Sequence, residues 1–280
     1  MIPKAMASLL FFLPLISLVE LIPCVTAQSG EACLPIPDNC TAGFKCRKIV
    51  VNGMKTFACI ADGCFPGDAL VHLYDGGSRA MKDLKIGDKV AGGPGSGYSE
   101  IYAFGHKELD AAHKFLQVKT DESVLELTAG HFIPVQVEEK LVYKRAADLK
   151  VDDRLFTRFG VSQVTELSEV EKLGLYNPLT LSGHILVNDI VASVHSEWFL
   201  DSLFDALGVS QYLPSSYQLL LSPIRALYKL AGRELYSTGY AMLNSFVNVD
   251  EISRKFGGTI VVTMGLLGTL AVTSKLIKEM

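Results

Sequence analysis

The chain has 280 residues, 49% of them hydrophobic, with a mean hydropathy of +0.29 and a formal net charge of −4. That length is enough for a sizeable core plus a smaller unit. The acidic balance and the absence of any Lys/Arg run interleaved with aromatics exclude phosphate-backbone recognition, so nucleic acid is not an expected partner.

Residues 1–27 read as a signal peptide. Lys4 precedes an apolar stretch from Ala5 to Val19, and Val25-Thr26-Ala27 offers a small-x-small cleavage site. An uncleaved membrane anchor is the weaker reading, because the apolar core is short and interrupted by Pro14. The expected destination is the secretory pathway, with a secreted or extracellular product.

Residues 28–62 form a small unit rich in Gly, Pro and Asn, with Cys33, Cys40, Cys46 and Cys59 at spacings of 7, 6 and 13. So short a stretch buries little core, and in an oxidising compartment two disulfides among these four would hold it together. Zinc is the alternative, but no pair has the C-x2-C spacing of a zinc knuckle, and neither a metal nor any other cofactor is expected. Asn39-Cys40-Thr41 is a candidate glycosylation triplet. The unit reads as a secreted ligand or binding module for an unknown receptor.

Gly63-Cys64 opens the second region, and no cysteine follows it. A thiol directly after glycine can attack the preceding carbonyl, since glycine leaves the approach open and tolerates the strained backbone. The product is a thioester in place of a peptide bond.

Beyond Cys64 the pattern is all-β: Ala69 to Tyr74, Lys114 to Lys119, Val124 to Leu127, Phe132 to Val137, Lys140 to Tyr143, Asp153 to Arg158 and His184 to Val191, with turn signals between. Lys82-Asp83-Leu84-Lys85-Ile86-Gly87-Asp88-Lys89-Val90 recurs 65 residues later as Ala147-Asp148-Leu149-Lys150-Val151-Asp152-Asp153-Arg154-Leu155. Two copies predict a duplicated subdomain with pseudo-two-fold symmetry. Between strands lies Thr128-Ala129-Gly130-His131. A histidine with an ordinary pKa near 6.5 can protonate a departing amide nitrogen at neutral pH, and Thr128 can hydrogen-bond that amide and hold it off planarity.

Gly63-Cys64-Phe65, Leu84 to Val90, Tyr98-Ser99-Glu100, Leu127-Thr128-x-x-His131 and Asn177-Pro178-Leu179-Thr180-Leu181-x-Gly183-x-Ile185-x-Val187 resemble, in order and spacing, the C-terminal autoprocessing domain of Hedgehog proteins, the Hint module shared with inteins. The resemblance covers Gly63 to Trp198. It implies a mainly β, pseudo-symmetric fold in which Cys64 makes an N-to-S acyl shift assisted by Thr128 and His131. Where Hedgehog proteins carry an aspartate that activates sterol, this chain has His106, which can still act as a base toward water or an alcohol but lacks the negative charge. The family's Ala-Ser-Cys is here Ala192-Ser193-Val194, and Val194-His195-Ser196 has no asparagine to cyclise, so splicing is not expected. His72, His113 and His184 have no motif partner and read as surface or core residues.

Residues 201–280 read as a helical C-terminal region. Leu219 to Leu235 has apolar residues three and four apart after a Ser222-Pro223 start. Phe256 to Ser274 carries no charge, is flanked by Arg254-Lys255 and Lys275, and predicts a membrane-inserted or membrane-lying segment over 256–274, a buried helix being the alternative. The expected organisation is therefore a signal peptide (1–27), a Cys-rich module (28–62), a Hint domain (63–200) and a membrane-prone tail (201–280). The expected activity is single-turnover cleavage between Gly63 and Cys64, with water or a lipid or sterol-like nucleophile resolving the thioester. The rival is an uncleaved cell-surface ligand with an inert Hint region.

Overall fold

A computed structural model describes the backbone of residues 44–51, 54–61, 63–198 and 200–246, and the side chains of 63–198 and 200–242. The chain divides into two compact units, Met1–Thr41 with Lys45–Cys59, and Ala42–Phe44 with Ile60–Met280. Strands β1 (Phe44–Val51) and β2 (Met54–Ala61) make a two-stranded sheet, and Cys46 and Cys59 fall on them. The side chains of these two cysteines, together with Cys33, Cys40, Asn39, residues 1–27 and the 256–274 segment, lie outside the described residues.

The second unit is built on one eleven-stranded sheet. Its strands are β3 (Leu70–His72), β4 (Ser78–Ala80), β5 (Lys89–Ala91), β6 (Tyr98–Thr120), β7 (Val124–Leu127) and β8 (Phe132–Val137). They continue with β9 (Lys140–Arg145), β10 (Arg154–Thr157), β11 (Gly160–Thr180), β12 (His184–Val187) and β13 (Ile190–Ser193). The long antiparallel pair β6 and β11 is the spine, in register from Thr120 against Val164 to Ile101 against Thr180, with bulges on the way.

The sequence repeat is a structural repeat. In each copy a single 3-10 turn (Met81–Asp83, Ala146–Asp148) precedes a short strand. Each copy then caps the same loop with an aspartate: Asp88 accepts from Lys85 N at 2.8 Å and pairs with Arg79, and Asp153 accepts from Lys150 N at 2.9 Å and pairs with Lys144. Gly87 and Asp152 occupy the same turn position with φ of 90° and 75°. The apolar positions match too: Met81, Leu84 and Val90 in one copy and Ala146, Leu149 and Leu155 in the other all enter one core with Phe65, Ile101, Phe104, Leu127 and Ile133. Burial of these side chains, at about 25 cal/mol per Å² of apolar surface, is what sets the register of both copies.

Three expectations need correction. His184 to Val191 is not one strand: Asn188 and Asp189 take positive φ of 46° and 65° and turn the chain between Val187 and Ile190, the geometry of a two-residue hairpin loop. The long strands extend far beyond Lys114 to Lys119, and what hides their length in the sequence is a middle stretch, Lys107 to Lys114 in β6 and Glu166 to Lys172 in β11, with charged residues on both faces and little apolar periodicity. The helical stripe is three helices rather than one, α2 (Leu213–Leu220), α3 (Ser222–Ala231) and α4 (Arg233–Phe246), after a short α1 (Asp201–Ala206). Pro214 and Pro223 open α2 and α3, where the missing N–H costs nothing, and Gly232 at φ 79° ends α3. Among the described residues no helix is long and apolar enough to cross a membrane.

Candidate functional site

The segment Gly63 to Gly67 lies along β11. Phe65 and Tyr176 exchange both backbone hydrogen bonds, at 2.9 and 3.0 Å, and Gly67 N donates to Leu173 O at 3.0 Å. Burial of Phe65 anchors this run, so Cys64 is held in place by its neighbour's packing. The Cys64 side chain is 1% exposed and packs against Phe115 and Leu175.

On its other side Cys64 meets the turn after β7. Thr128 N donates to Cys64 O at 3.0 Å, and Cys64 N donates to Thr128 Oγ1 at 2.8 Å. The amide nitrogen between Gly63 and Cys64 therefore has its proton fixed on a threonine hydroxyl oxygen. The same turn closes with His131 N donating to Thr128 O at 3.1 Å, which brings the imidazole beneath Gly63 and Phe65.

His131 is fully buried, with its ring centroid 4.4 Å from that of Phe65. Nε2 lies 2.7 Å from Ser193 O. A carbonyl only accepts, so the proton sits on Nε2 and the lone pair on Nδ1. Nδ1 has no hydrogen-bond partner among the described residues. Burial pushes the pKa down to about 4, against smaller upward pulls from the Ser193 carbonyl and the Gly63 backbone. That Gly63 contact acts on the ring electrostatically but falls short of hydrogen-bond geometry. An ordinary pKa near 6.5 is thus not what this histidine has. At neutral pH it is an uncharged base whose protonated form would be a strong acid.

Ser196 closes the site. It bridges to His131, and a Cβ built on Gly63 would lie 1.8 Å from Ser196 Cβ and 3.0 Å from its Cα. Only glycine fits there. Sequence reasoning set Ser196 aside for want of a neighbouring asparagine, and no local signal marks its contact with a residue 133 positions earlier.

The sequence also offers His106 as a base. It lies on β6 opposite Asn177 of β11, is 3% exposed, and has Nε2 3.3 Å from Glu108 Oε2. His113 approaches the same oxygen from the other side at 3.6 Å, so it is part of a charged group and not an isolated core residue. Burial lowers the His113 pKa, partly offset by the Glu108 charge. His72 pairs with Asp189 at 2.7 Å, and His184 meets the Tyr143 hydroxyl at 2.6 Å. His195 is buried with Nε2 2.8 Å from Gln218 Oε1, and burial holds its pKa near about 4. Among the described residues no His, Cys, Asp and Glu cluster has the geometry to hold a metal ion.

The Hint module family model matches residues 54–246. Indian hedgehog B protein of Danio rerio is 32% identical over 166 residues, covering 52% of this chain and 40% of that protein. Warthog protein 6 of Caenorhabditis elegans is 34% identical over 151 residues, covering 50% of this chain and 25% of that protein. Protein hedgehog of Drosophila erecta is 29% identical over 181 residues, covering 58% and 39%. The chain thus spans well under half the length of these relatives. Among solved structures, the gp41-1 intein is similar over 47% of this chain and 98% of its own, at 16% identity and a TM-score of 0.40, a likeness on which nothing below rests.

Proposed function

The chain belongs to the Hint module family, and from that premise we propose that it is a secreted precursor that cleaves itself once, between Gly63 and Cys64. The observation that carries the reading is the hold on one peptide bond: its nitrogen donates to Thr128 Oγ1 at 2.8 Å, and the Gly63 backbone acts on the buried His131 ring, whose Nδ1 has no hydrogen-bond partner among the described residues.

In the first step the Cys64 thiol gives its proton to neutral His131 as sulfur attacks the Gly63 carbonyl carbon. Thr128, by pinning the N–H, favours pyramidal nitrogen, whose lone pair then takes the proton from His131. An imidazolium with a pKa of about 4 is a strong donor for this step. The C–N bond breaks, leaving the Gly63 acyl group on sulfur and a free amine on Cys64. A hydroxyl nucleophile, water or a lipid or sterol-like alcohol, then attacks the thioester and releases the fragment ending at Gly63.

The released fragment would carry Cys33, Cys40, Cys46 and Cys59 as two disulfides and act outside the cell on a receptor. The 256–274 segment would bring the processing domain to a membrane. The test is the size of the secreted full chain and of its Cys64→Ala variant on a gel. Two fragments from the former and one intact chain from the latter support self-cleavage, and an intact chain from both supports the uncleaved ligand.

A further inference from the structure

His106 is a buried histidine on β6 that the first chemical step does not use. The structure sets a carboxylate beside it. Because Phe65 and Tyr176 form a reciprocal pair, Cys64 comes into register with Asn177, which is itself paired with His106 on β6. Paired positions share a face of a sheet, and the packing of Cys64 on Leu175, two residues from Asn177, is consistent with that face. Cys64, Asn177 and His106 thus form a row across three strands, with roughly 10 Å between the outer Cα atoms, or two strand spacings.

Asn177 stands at the middle of the row. It is 9% exposed, and its Oδ1 is buried with no hydrogen-bond partner among the described residues. A buried carbonyl oxygen left unsatisfied is costly, and an entering O–H group would relieve that cost. Glu108 lies one β-repeat beyond His106 on the same face, in register with Leu175. Its side chain is 38% exposed and forms the open end of the row. An ionised carboxylate only accepts, so the 3.3 Å contact puts the His106 proton on Nε2 and the basic lone pair on Nδ1.

We propose that Glu108 is a positioning residue for resolution of the thioester: its carboxylate fixes His106 as the base that activates a hydroxyl nucleophile, and Asn177 Oδ1 receives that hydroxyl beside Cys64. The inference rests on the self-cleavage reading above. The nucleophile's O–H proton passes to His106 Nδ1 as its oxygen bonds to the Gly63 carbonyl carbon. The C–S bond breaks, its electron pair leaves on Cys64 sulfur, and the sulfur takes the proton back from His106. The products are a Gly63 acid or ester and a Cys64 thiol. The positive charge that develops on the His106 ring is stabilised by the Glu108 carboxylate at 3.3 Å, an oxygen that also meets His113 at 3.6 Å.

The test follows release of the fragment ending at Gly63 from freshly synthesised full chain under three conditions: no addition, dithiothreitol, and hydroxylamine. Dithiothreitol as a ready thiolate and hydroxylamine as an unprotonated nucleophile report on thioester formation without needing the base. Glu108→Gln should slow unassisted release by about 10-fold or more while both assisted rates stay within about 2-fold of wild type. His106→Gln should give the same pattern. The fragment's mass separates water, which leaves a free acid, from an alcohol, which adds its own mass. Unassisted release at the wild-type rate in Glu108→Gln overturns the inference. So does an equal fall under all three conditions, which would make Glu108 structural. If neither reagent releases the fragment from wild type, no thioester forms, and the self-cleavage reading fails with it.

Discussion

The Cys64 amide nitrogen donates to Thr128 Oγ1 at 2.8 Å while the Cys64 carbonyl accepts from Thr128 N at 3.0 Å. One residue, 64 positions along the chain, thus grips both sides of the residue after the proposed scissile bond. Thr128→Val keeps the volume and the backbone contact but removes the oxygen. Fragment release by dithiothreitol, which reads the first step alone, should slow by about 10- to 100-fold. A rate unchanged from wild type would leave Thr128 with no part in the chemistry.

Gly63 faces Ser196 so closely that any side chain must move it. Gly63→Ala should slow release in dithiothreitol by more than about 10-fold, because misplacing the reacting carbonyl by an ångström is enough to do so. Adding Ser196→Gly should recover part of the loss, since the nearest clash is with the Ser196 side chain. No recovery in the double variant would place the requirement for glycine elsewhere.

His131→Ala should slow thioester formation by about 100-fold or more, and dithiothreitol should not rescue it, because the loss falls before any thioester exists. Wild-type release in dithiothreitol would place His131 after that step.

The two buried histidines also bear on stability. The pKa of His131 and of His195 is held down to about 4 by burial, below an unfolded value near 6.5. The unfolded chain therefore binds protons first. Stability from these groups is complete above pH 6.5 and falls as pH drops toward 4, by roughly 3 kcal/mol for each histidine at the lower end. Urea midpoints of the Cys64→Ala chain, which stays intact, should drop between pH 6.5 and 4.5, and His195→Gln should flatten part of that drop. Midpoints constant across this range would contradict neutral burial.

Much of this was legible in the sequence, and the reasons differ by element. The repeat was visible because the same loop is capped by the same aspartate, Asp88 and Asp153, and such local chemistry survives divergence. Cys64, Thr128 and His131 could be singled out because glycine before a thiol and a turn threonine near a histidine are local signals, and the Thr128 bond to the Cys64 amide was among the expectations; the return bond from Thr128 N to the Cys64 carbonyl was not. The depressed pKa of His131 comes from burial, with Phe65 against the ring and the Ser193 carbonyl pulling the other way, and spacing alone could place neither. Glu108 escaped notice although His106-x-Glu108 has the i, i+2 spacing of one strand face. The strand itself was hidden by charged residues on both of its sides.

The two copies of the repeat differ in one instructive place. Gly87 and Asp152 share a left-handed turn, with φ of 90° and 75°, and Asp152 is exposed. Asp152→Gly should stabilise the domain by about 0.5 to 1 kcal/mol, the side-chain strain relieved less the extra freedom glycine gains when unfolded. A lower urea midpoint in that variant would show that the Asp152 side chain makes a stabilising contact of its own.

The most direct measurement is the intact mass of the products formed when the full chain is synthesised in the presence of dithiothreitol. Attack by Cys64 on Gly63 should yield one fragment ending at Gly63, with the thiol's mass added or a free acid after its hydrolysis, and a second beginning at Cys64 with a free amine. Cys64→Ala should yield neither. A cut at another bond, or the same cut persisting in Cys64→Ala, would contradict an acyl shift to this cysteine.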